Sequence, residues 1–419
     1  MNRLARIIMV AVLVFTLAAC GPSGATPTSA PAPEPTSPPA ATTPPEDSGL
    51  DQYGERYDAD PALLIQATGL NEGWPQIALA AVYRAGLPVD DAMRDLALQC
   101  WRDKVCDTGT GGELTLAIAD GFGENVWREI TLMEAILQAL TYPEIGRIMY
   151  SSARYDTQTA ISDIRAFIAQ DVDIIIGYPD GGDALLPAVR EATERGIPYV
   201  PYSYGKIGEP GTDYLTFVGE DVCQLGKNFA AVLNEEVGTG KVAFLGGTPG
   251  NPLSAAWQAC EEEALGPGLE LIGQGDTNWT REGALQAVSG FISSDPDLKG
   301  ISYEYADGFL GGVRAYEAAG LPMDIVLTLR TDEVGLFCEW ADMSNPNFKI
   351  FYSAGGNFQS RIALTAAMMK LKGAEIPAEG IIVPATMRPV TESSCNRDVP
   401  GEYPVSSLVP IDIVAAMYP

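Results

Sequence analysis

The stretch Ile164 to Tyr204 reads IRAFIAQDVDIIIGYPDGGDALLPAVREATERGIPYVPYSY and decides the fold class. Its first apolar residues recur at helical spacing. The β-branched run 172–176 that follows is short and apolar, which predicts a strand buried on both faces. A second helical pattern over 185–192 ends at Gly196, and another apolar strand pattern begins directly after it. This order of elements is typical of an α/β unit with a parallel sheet.

The turn after the buried strand carries polar and aromatic side chains. Tyr178, Asp180 and Asp183 follow this strand, and Tyr202 follows the next one. Ligands of open parallel sheets bind outside the carboxyl ends of the strands, so these residues are predicted to lie at the lip of a crevice. An α/β unit serves many functions, and it therefore predicts an architecture without an activity.

The same alternation of strand and helix continues from Leu114 almost to the end of the chain. About ten alternations over roughly 300 residues exceed what one core holds, so the body is predicted to divide into two α/β lobes. Residues 58–111 precede this body and are largely helical in pattern. They are predicted to form an appendage that packs on the body as a lid or brace.

The beginning of the chain has the features of a secretory signal. A basic head is followed by the apolar run Ile7 to Ala19, which is too short to span a bilayer as a mature helix. Cys20 stands in LAACG, which resembles a bacterial lipobox, and we expect this cysteine to carry a lipid. An ordinary small-residue cleavage site is the alternative. Residues 22–46 are rich in Pro, Thr, Ser and Ala and are predicted to be an extended tether.

The composition agrees with an exported protein. The formal net charge is −29, which argues against nucleic acid as a partner and favours a soluble, mutually repelling surface. Besides Cys20 there are six cysteines, an even number that suits disulfides in an oxidising compartment.

The cysteines admit fifteen pairings. Cys100 and Cys106 are close enough in the sequence to close a small loop, and we expect Cys223 to pair with Cys260 and Cys338 with Cys395. Zinc is the competing interpretation, but the chain has no C-x-x-C spacing and no histidine. Neither a metal nor another cofactor is expected.

Six segments resemble, in order, motifs of the type I periplasmic solute-binding proteins of ABC transporters, in the ribose and galactose branch. They read DIIIGYPDGGDAL (173–185), RGIP (195–198), VGEDVCQLG (218–226), KVAFLGG (241–247), DGFLG (307–311) and LKGAEIP (371–377). Each motif is weak alone, but their common order behind a lipobox and a tether is specific. The resemblance covers about Leu114 to Thr391.

The resemblance implies two similar α/β lobes joined by a hinge of three crossovers, with a ligand trapped between them by closure. The implied organisation is a signal peptide at 1–19, a tether at 20–57, the helical appendage at 58–111, a first lobe at 112–212 plus 356–384, and a second lobe at 213–355 plus 385–419. The two proposed bridges beyond residue 200 then fall within the second lobe.

By resemblance, a sugar ring stacks between aromatic side chains while charged and amide groups bind its hydroxyls. Trp127 matches the first-lobe aromatic residue and Trp279 the second-lobe one. Other positions depart from the family pattern: Tyr178 replaces a common Asn, and Trp257 an Arg. The candidate ligand-binding set is Asp120, Phe122, Asn125, Trp127, Tyr178, Asp180, Tyr202, Trp257, Trp279, Asp307, Arg330 and Asn357. A sugar, a polyol and a nucleoside all stay open as ligands.

The predicted function is that of an extracytoplasmic, lipid-anchored and monomeric binding protein, which delivers a small polar ligand, foremost a sugar, to an ABC permease. A membrane-tethered sensor that signals through another protein is the alternative. An enzymatic role is not expected, because the absence of histidine excludes Ser-His-Asp and Cys-His arrangements. The strand-following GGTPG at 246–250 lacks the Gly-Lys-Ser/Thr of a nucleotide P-loop.

Overall fold

Two parallel sheets flanked by helices form the body of the computed structural model, which describes residues 49–123, 125–203 and 206–418. The predicted signal peptide, Cys20 and most of the predicted tether lie outside the described residues. In the part of the chain that is described, no helix has the length and apolar character needed to cross a membrane.

The N-terminal segment is helical, as its pattern predicts, but ends in a strand. It contains α1 (Pro61–Thr68), α2 (Gln76–Ala85), α3 (Asp91–Asp103) and β1 (Val105–Asp107). α1 begins after an N-cap, because the Asp60 side chain accepts the Ala62 N–H and Pro61 occupies the first turn. β1 joins the edge of the first sheet, so the appendage is continuous with the first lobe.

The first sheet contains the stretch that opens the sequence analysis. Its elements are β2 (Leu114–Asp120), α4 (Val126–Leu140), β3 (Ile145–Ser152), α5 (Thr157–Ala169), β4 (Ile174–Tyr178), α6 (Leu186–Glu194) and β5 (Tyr199–Pro201). The strand order is β1-β3-β2-β4-β5, parallel except for β1 against β3. β4 lies between two neighbours and is buried throughout, as the β-branched run predicts.

The second sheet repeats this arrangement. Its part of the chain contains β6 (Val218–Gly219), α7 (Val222–Glu236), β7 (Gly240–Gly246), α8 (Pro252–Ala264), β8 (Leu269–Asp276), α9 (Arg281–Ser294), β9 (Leu298–Tyr303), α10 (Ala306–Ala319), β10 (Val326–Leu329), α11 (Val334–Met343) and β11 (Lys349–Tyr352). β8, β7, β9, β10 and β11 follow one another across the sheet, all parallel. The predicted α/β class with doubly wound lobes is confirmed.

The last part of the chain contributes elements to both lobes. It contains α12 (Gln359–Leu371), β12 (Ile381–Ile382), β13 (Arg388–Pro389) and α13 (Ile411–Met417). α12 packs against α2 and α4, β12 pairs with β6, and β13 closes the edge of the second sheet beside β11.

Two segments lie with the first lobe although the predicted boundaries place them in the second. Val218 of β6 forms a bridge to Tyr202 and belongs to the same apolar core as β2 and β4. The apolar residues of α13 join this core, and α13 packs against α3. The division into lobes stays a proposal, and these contacts favour assigning 213–219 and 403–418 to the first lobe.

The structure contains three disulfides, paired as expected from the sequence. Cys100–Cys106 joins α3 to β1, Cys223–Cys260 joins α7 to α8, and Cys338–Cys395 joins α11 to the segment after β13. Each bridge connects neighbouring elements. None of the three crosses from one sheet to the other.

Arg388 connects the N-terminal segment to the second sheet. Its guanidinium donates hydrogen bonds to the carbonyl oxygens of Ile65 (3.2 Å) and Gln66 (3.0 Å) at the end of α1, and to that of Ser353 after β11 (2.6 Å). The same guanidinium lies over the ring of Tyr352, 4.6 Å from its centroid. Arg388 therefore ties the appendage to the second sheet, in addition to the packing of the appendage on the first lobe.

We predict that Arg388→Ala lowers the free energy of unfolding by about 2 kcal/mol or more, because several carbonyl groups lose a charged donor together. Arg397→Ala is the matched control, since this arginine makes only an exposed ion pair with Asp342 and should change stability by less than about 0.5 kcal/mol. Urea unfolding of both variants measures the difference. Equal effects would contradict the bracing role.

Candidate functional site

A cavity lies between the two lobes, at the carboxyl ends of strands from both sheets. Its volume is about 70 Å³. The first lobe lines it with Asn125, Trp127, Arg128, Tyr155, Tyr178 and Asp180, and the second with Asn251, Leu253, Trp279, Glu304, Tyr305, Arg330 and Thr331.

Six residues of the predicted set line this cavity: Asn125, Trp127, Tyr178, Asp180, Trp279 and Arg330. The other six, Asp120, Phe122, Tyr202, Trp257, Asp307 and Asn357, lie outside its lining. Sequence reasoning missed seven lining residues: Arg128, Tyr155, Asn251, Leu253, Glu304, Tyr305 and Thr331.

The two lobes present lining residues at equivalent positions. Asn125 caps the start of α4, and its side chain accepts the Arg128 N–H; Asn251 caps α8 by accepting the Ser254 N–H. Two residues after each cap stand Trp127 and Leu253, which both line the cavity. Each lobe therefore contributes a helix-capping asparagine to the cavity lining, although only the first-lobe asparagine was predicted.

Tyr155 and Trp279 are a second equivalent pair. Each directly precedes the N-cap of the next helix, α5 or α9, and each has a left-handed backbone, with φ of 63° and 51°. Such φ values are unfavourable for bulky residues and are typical of functional turns. Tyr155 is thus the positional counterpart of Trp279, whereas Trp127 matches Leu253. Aligning the two lobes of the sequence with each other is the signal that would have found Tyr155.

Each ring of this pair rests on a neighbour. The Tyr155 ring stacks on Phe122 with centroids 4.0 Å apart and 16° between planes, so Phe122 supports a lining residue instead of lining the cavity. The Trp279 ring lies against Gly247, where an added Cβ would come within 2.1 Å of it. Both aromatic groups are held on one face, which leaves the other available to a ligand.

Arg128 organises the first-lobe wall. Its guanidinium donates to Asp120 and Asp180, both at 3.0 Å, and lies 3.5 Å from the centroid of the Tyr178 ring. Burial opposes the charge of Arg128, but the two carboxylates outweigh burial and raise its pKa. Burial also raises the pKa of Asp180, to about 6, and that of Asp120, despite the nearby arginine. Asp120 therefore acts through Arg128.

Glu304 organises the second-lobe wall. Only 1 % of the residue is exposed, and its two carboxylate oxygens accept the indole N–H groups of Trp257 (2.7 Å) and Trp279 (2.6 Å). Trp257 is fully buried between Phe229 and Phe244, so its predicted place in the cleft is wrong. It holds Glu304, which in turn orients Trp279.

Arg330 joins the two lobes at the back of the cavity. Its Nε donates to Glu220 at 2.5 Å and its Nη2 to the carbonyl oxygen of Ser203 at 3.1 Å, close to the end of β5. Burial opposes its charge, yet Glu220 raises the pKa of Arg330. This residue was predicted, and the structure places it in the lining.

The remaining predicted residues support the walls. Tyr202 is buried and packs edge-on against Tyr178, with centroids 6.2 Å apart. Asn357 is buried and donates to the Trp127 carbonyl oxygen and to Thr131, both at 2.8 Å. Asp307 pairs with Arg281. Their side chains are engaged within the protein, which explains why they do not line the cavity.

A buried acid lies directly behind the lining residue Thr331. Glu333 accepts from the Thr331 hydroxyl at 2.5 Å and from the Asp307 N–H at 3.2 Å, while its Oε1 is buried with no hydrogen-bond partner among the described residues. Burial raises the pKa of Glu333 to about 8. In the described part of the chain, no group of three or more acidic or cysteine side chains is arranged to hold a metal ion.

Comparison with known proteins places this geometry in a family. The family profile described as "Periplasmic binding protein domain" matches residues 118–374. A curated relative, the xylitol-binding protein of Mycolicibacterium smegmatis, is 27 % identical over 186 residues, which cover 43 % of this chain and 52 % of the relative. The chain thus spans about half the length of this curated relative.

Solved structures share the fold. The periplasmic component of the arabinose ABC transporter of Shewanella sp. ANA-3, bound to L-arabinofuranose, has a TM-score of 0.60 at 21 % identity, with 67 % of this chain and 93 % of that chain covered. The fructose-binding periplasmic domain of a hybrid two-component system has a TM-score of 0.58 at 18 % identity, with 67 % and 91 % covered.

The buried Glu333 predicts how stability depends on pH. Its folded pKa lies above the ordinary value of 4.5, so the folded state holds a proton that the unfolded state has released, and stability falls as pH rises towards 8. The melting midpoint should fall from pH 6 to 8, and Glu333→Gln should flatten this fall. Glu379→Gln, at an exposed position, is the control. An equal slope in wild type and Glu333→Gln would contradict the assignment.

Proposed function

This chain belongs to the periplasmic binding protein family, and we propose that it captures a single-ring polyhydroxy ligand between its lobes for import by an ABC permease. The observation that carries the proposal is the cavity itself. Aromatic groups from both lobes face it together with two arginines and two carboxylates. Rings pack on the apolar faces of sugars, and charged groups hydrogen-bond their hydroxyls.

The size of the cavity favours one ring over two. A cavity volume of about 70 Å³ lies below the range that is usual for drug-sized ligands, which favours a small ligand such as a pentose, a hexose or a cyclic polyol. A nucleoside adds a base to a pentose and needs more room. We therefore place nucleosides behind sugars and polyols as ligands.

The named ligands of the relatives support the same class. Xylitol, arabinofuranose and fructose appear in the names of the three proteins compared above. All are small polyhydroxy compounds. Because the relatives are named as binding proteins or domains, we propose no enzymatic activity for the cleft.

Members of this family work outside the cytoplasm, and the beginning of this chain suits that location. We propose that Cys20 is lipidated and that the Pro-rich tether holds the binding body away from the cell membrane, next to a permease. A single chain supplies both walls of the cavity, so the monomer is the functional unit we propose.

Sensing is the second candidate, because the fructose-binding relative is a domain of a two-component system. The same cleft would then report its ligand to a signalling partner. Uptake of a radiolabelled ligand by cells with and without the gene separates the two. Loss of uptake on deletion supports import, whereas unchanged uptake with a lost transcriptional response supports sensing.

We predict that Trp279→Ala and Tyr155→Ala each weaken ligand binding by about 1–3 kcal/mol, because each removes one ring face from the cavity. Tyr83→Ala, which alters an aromatic residue of α2 outside the cavity, is the control. Isothermal titration with the tightest sugar or polyol of a screened panel measures the change. Wild-type affinity in both cavity variants would remove these rings from the site.

A further inference from the structure

We propose that the preferred ligand is a single polyhydroxy ring bearing an ammonium group, such as an amino sugar or an amino cyclitol. The inference rests on the proposed function and names the ligand class of the same cavity. The inference follows from the charged groups around the cavity. Carboxylates outnumber guanidinium groups there, and not every carboxylate has an ion-pair partner within the residues that the structure describes.

The cavity walls hold more carboxylates than guanidinium groups. Among the described residues, Arg128 is the single ion-pair partner of both Asp120 and Asp180. In the second wall, Arg330 forms its ion pair with Glu220 and interacts with Glu304 only over a longer distance. Glu304 adds a fourth carboxylate, and it has no lysine or arginine nitrogen within 4.0 Å among the described residues. The lining residues and their ion-pair partners therefore carry two more negative charges than positive ones.

The excess negative charge costs the most free energy at Glu304, because this residue is the most deeply buried of the four carboxylates. Its two donors are neutral indole N–H groups. A buried carboxylate without a cation is costly, and each of its oxygens can accept a further hydrogen bond. A donor with a positive charge, placed in the cavity, stabilises this group more than a hydroxyl does.

Asp180 adds negative charge from the opposite wall, although its Oδ2 lies against Gly121 and not in the open cavity. Its Oδ1 pairs with Arg128, while its Oδ2 is buried with no hydrogen-bond partner in the described part of the chain. Since Arg128 also neutralises Asp120, the first wall keeps a net negative charge. An ammonium group between the walls is attracted by both Asp180 and Glu304.

The aromatic groups add a second attraction for a cation. Trp127, Tyr155, Trp279 and Tyr305 line the cavity, and the face of an aromatic ring attracts an ammonium group within about 6 Å. The wall already binds one cation in this way, because the Arg128 guanidinium lies 3.5 Å from the centroid of the Tyr178 ring. A carboxylate or phosphate on the ligand would meet the excess negative charge and is disfavoured.

Matched ligand pairs test the proposal on the whole mature protein. Isothermal titration at neutral pH compares D-glucosamine with D-glucose, D-galactosamine with D-galactose, and an amino-deoxy-inositol with myo-inositol. In at least one pair, we expect the amine to bind about tenfold tighter or more, since the site supplies uncompensated charge. Added salt should reduce this preference for the amine, because dissolved ions screen the charges of the cavity.

Asp180→Asn identifies the cause, because it removes one charge and keeps the shape that pairs with Arg128. It should reduce the amine preference by about tenfold, whereas Asp183→Asn, at an exposed position outside the cavity lining, should leave it unchanged. An unchanged preference in Asp180→Asn would overturn the role of the charge excess.

The outcomes separate this inference from the proposed function. Hydroxyl members that bind as tightly as the amines, or tighter, overturn the inference and leave a sugar-binding protein. Failure of both members of all pairs, and of a broader sugar and polyol panel, overturns the inference and the proposed function together.

Discussion

The cleft depends on one buried guanidinium. Arg128 of α4 reaches the ends of two adjacent strands and pairs there with Asp120 and Asp180. Without it, two carboxylates would be buried side by side with no cation, which costs several kcal/mol. Because the same group covers the Tyr178 ring, it also sets the aromatic surface of the first wall. The ligand thus meets a wall whose shape is maintained by an internal ion pair.

The two lobes have a similar backbone at the cavity walls but carry different side chains there. The Tyr202 N–H donates to the Gly177 carbonyl oxygen, and the Arg330 N–H makes the corresponding bond to Tyr303. An aromatic residue in one lobe therefore stands where a charged residue stands in the other. Arg330 lines the cavity, whereas Tyr202 is buried behind Tyr178, so the two walls differ at this position. Such a cavity favours a ligand that itself has unlike faces, as a substituted ring has.

The crossovers couple these walls to the hinge. The Trp127 indole N–H donates to the Gly355 carbonyl oxygen at 2.9 Å, and the Gly355 N–H donates to Ser406 at 2.8 Å. Asp332, directly after the lining residue Thr331, accepts from the Ser406 N–H at 2.9 Å. Trp127 of the first lobe, and Asp332 next to the lining residue Thr331 of the second, are therefore bonded to the segments that carry Gly355 and Ser406. We expect movement at these segments to shift cavity side chains and so to couple closure to binding.

The architecture was predictable because it rests on local patterns. A β-branched run predicted the buried strand β4. The site was predictable only in part, since lining depends on contacts between distant segments. Trp257 lies in the second turn of α8, and its side chain is buried where α7 and α8 approach closely. At Gly226 of α7, an added Cβ would come within 2.1 Å of the Trp257 carbonyl oxygen.

The missed residues have equally physical reasons. Arg128, in the first turn of a helix, has the sequence pattern of a solvated surface residue, and only the fold shows the two carboxylates that bury it. Tyr155 lies in a turn and has a left-handed φ. Its sequence does not predict this conformation, because the residue is neither Gly nor Asn. Its equivalence to Trp279 follows from the structural similarity of the two lobes. This similarity is clear in the backbone but weak in the sequence.

The most direct test of the account is a crystal structure of the protein with its tightest-binding ring ligand. The account predicts one ligand between the lobes, in contact with Trp279 and Tyr155 and hydrogen-bonded to Asp180 or Glu304. Electron density elsewhere, such as in the groove beside Arg388, with an empty interlobe cavity would contradict it.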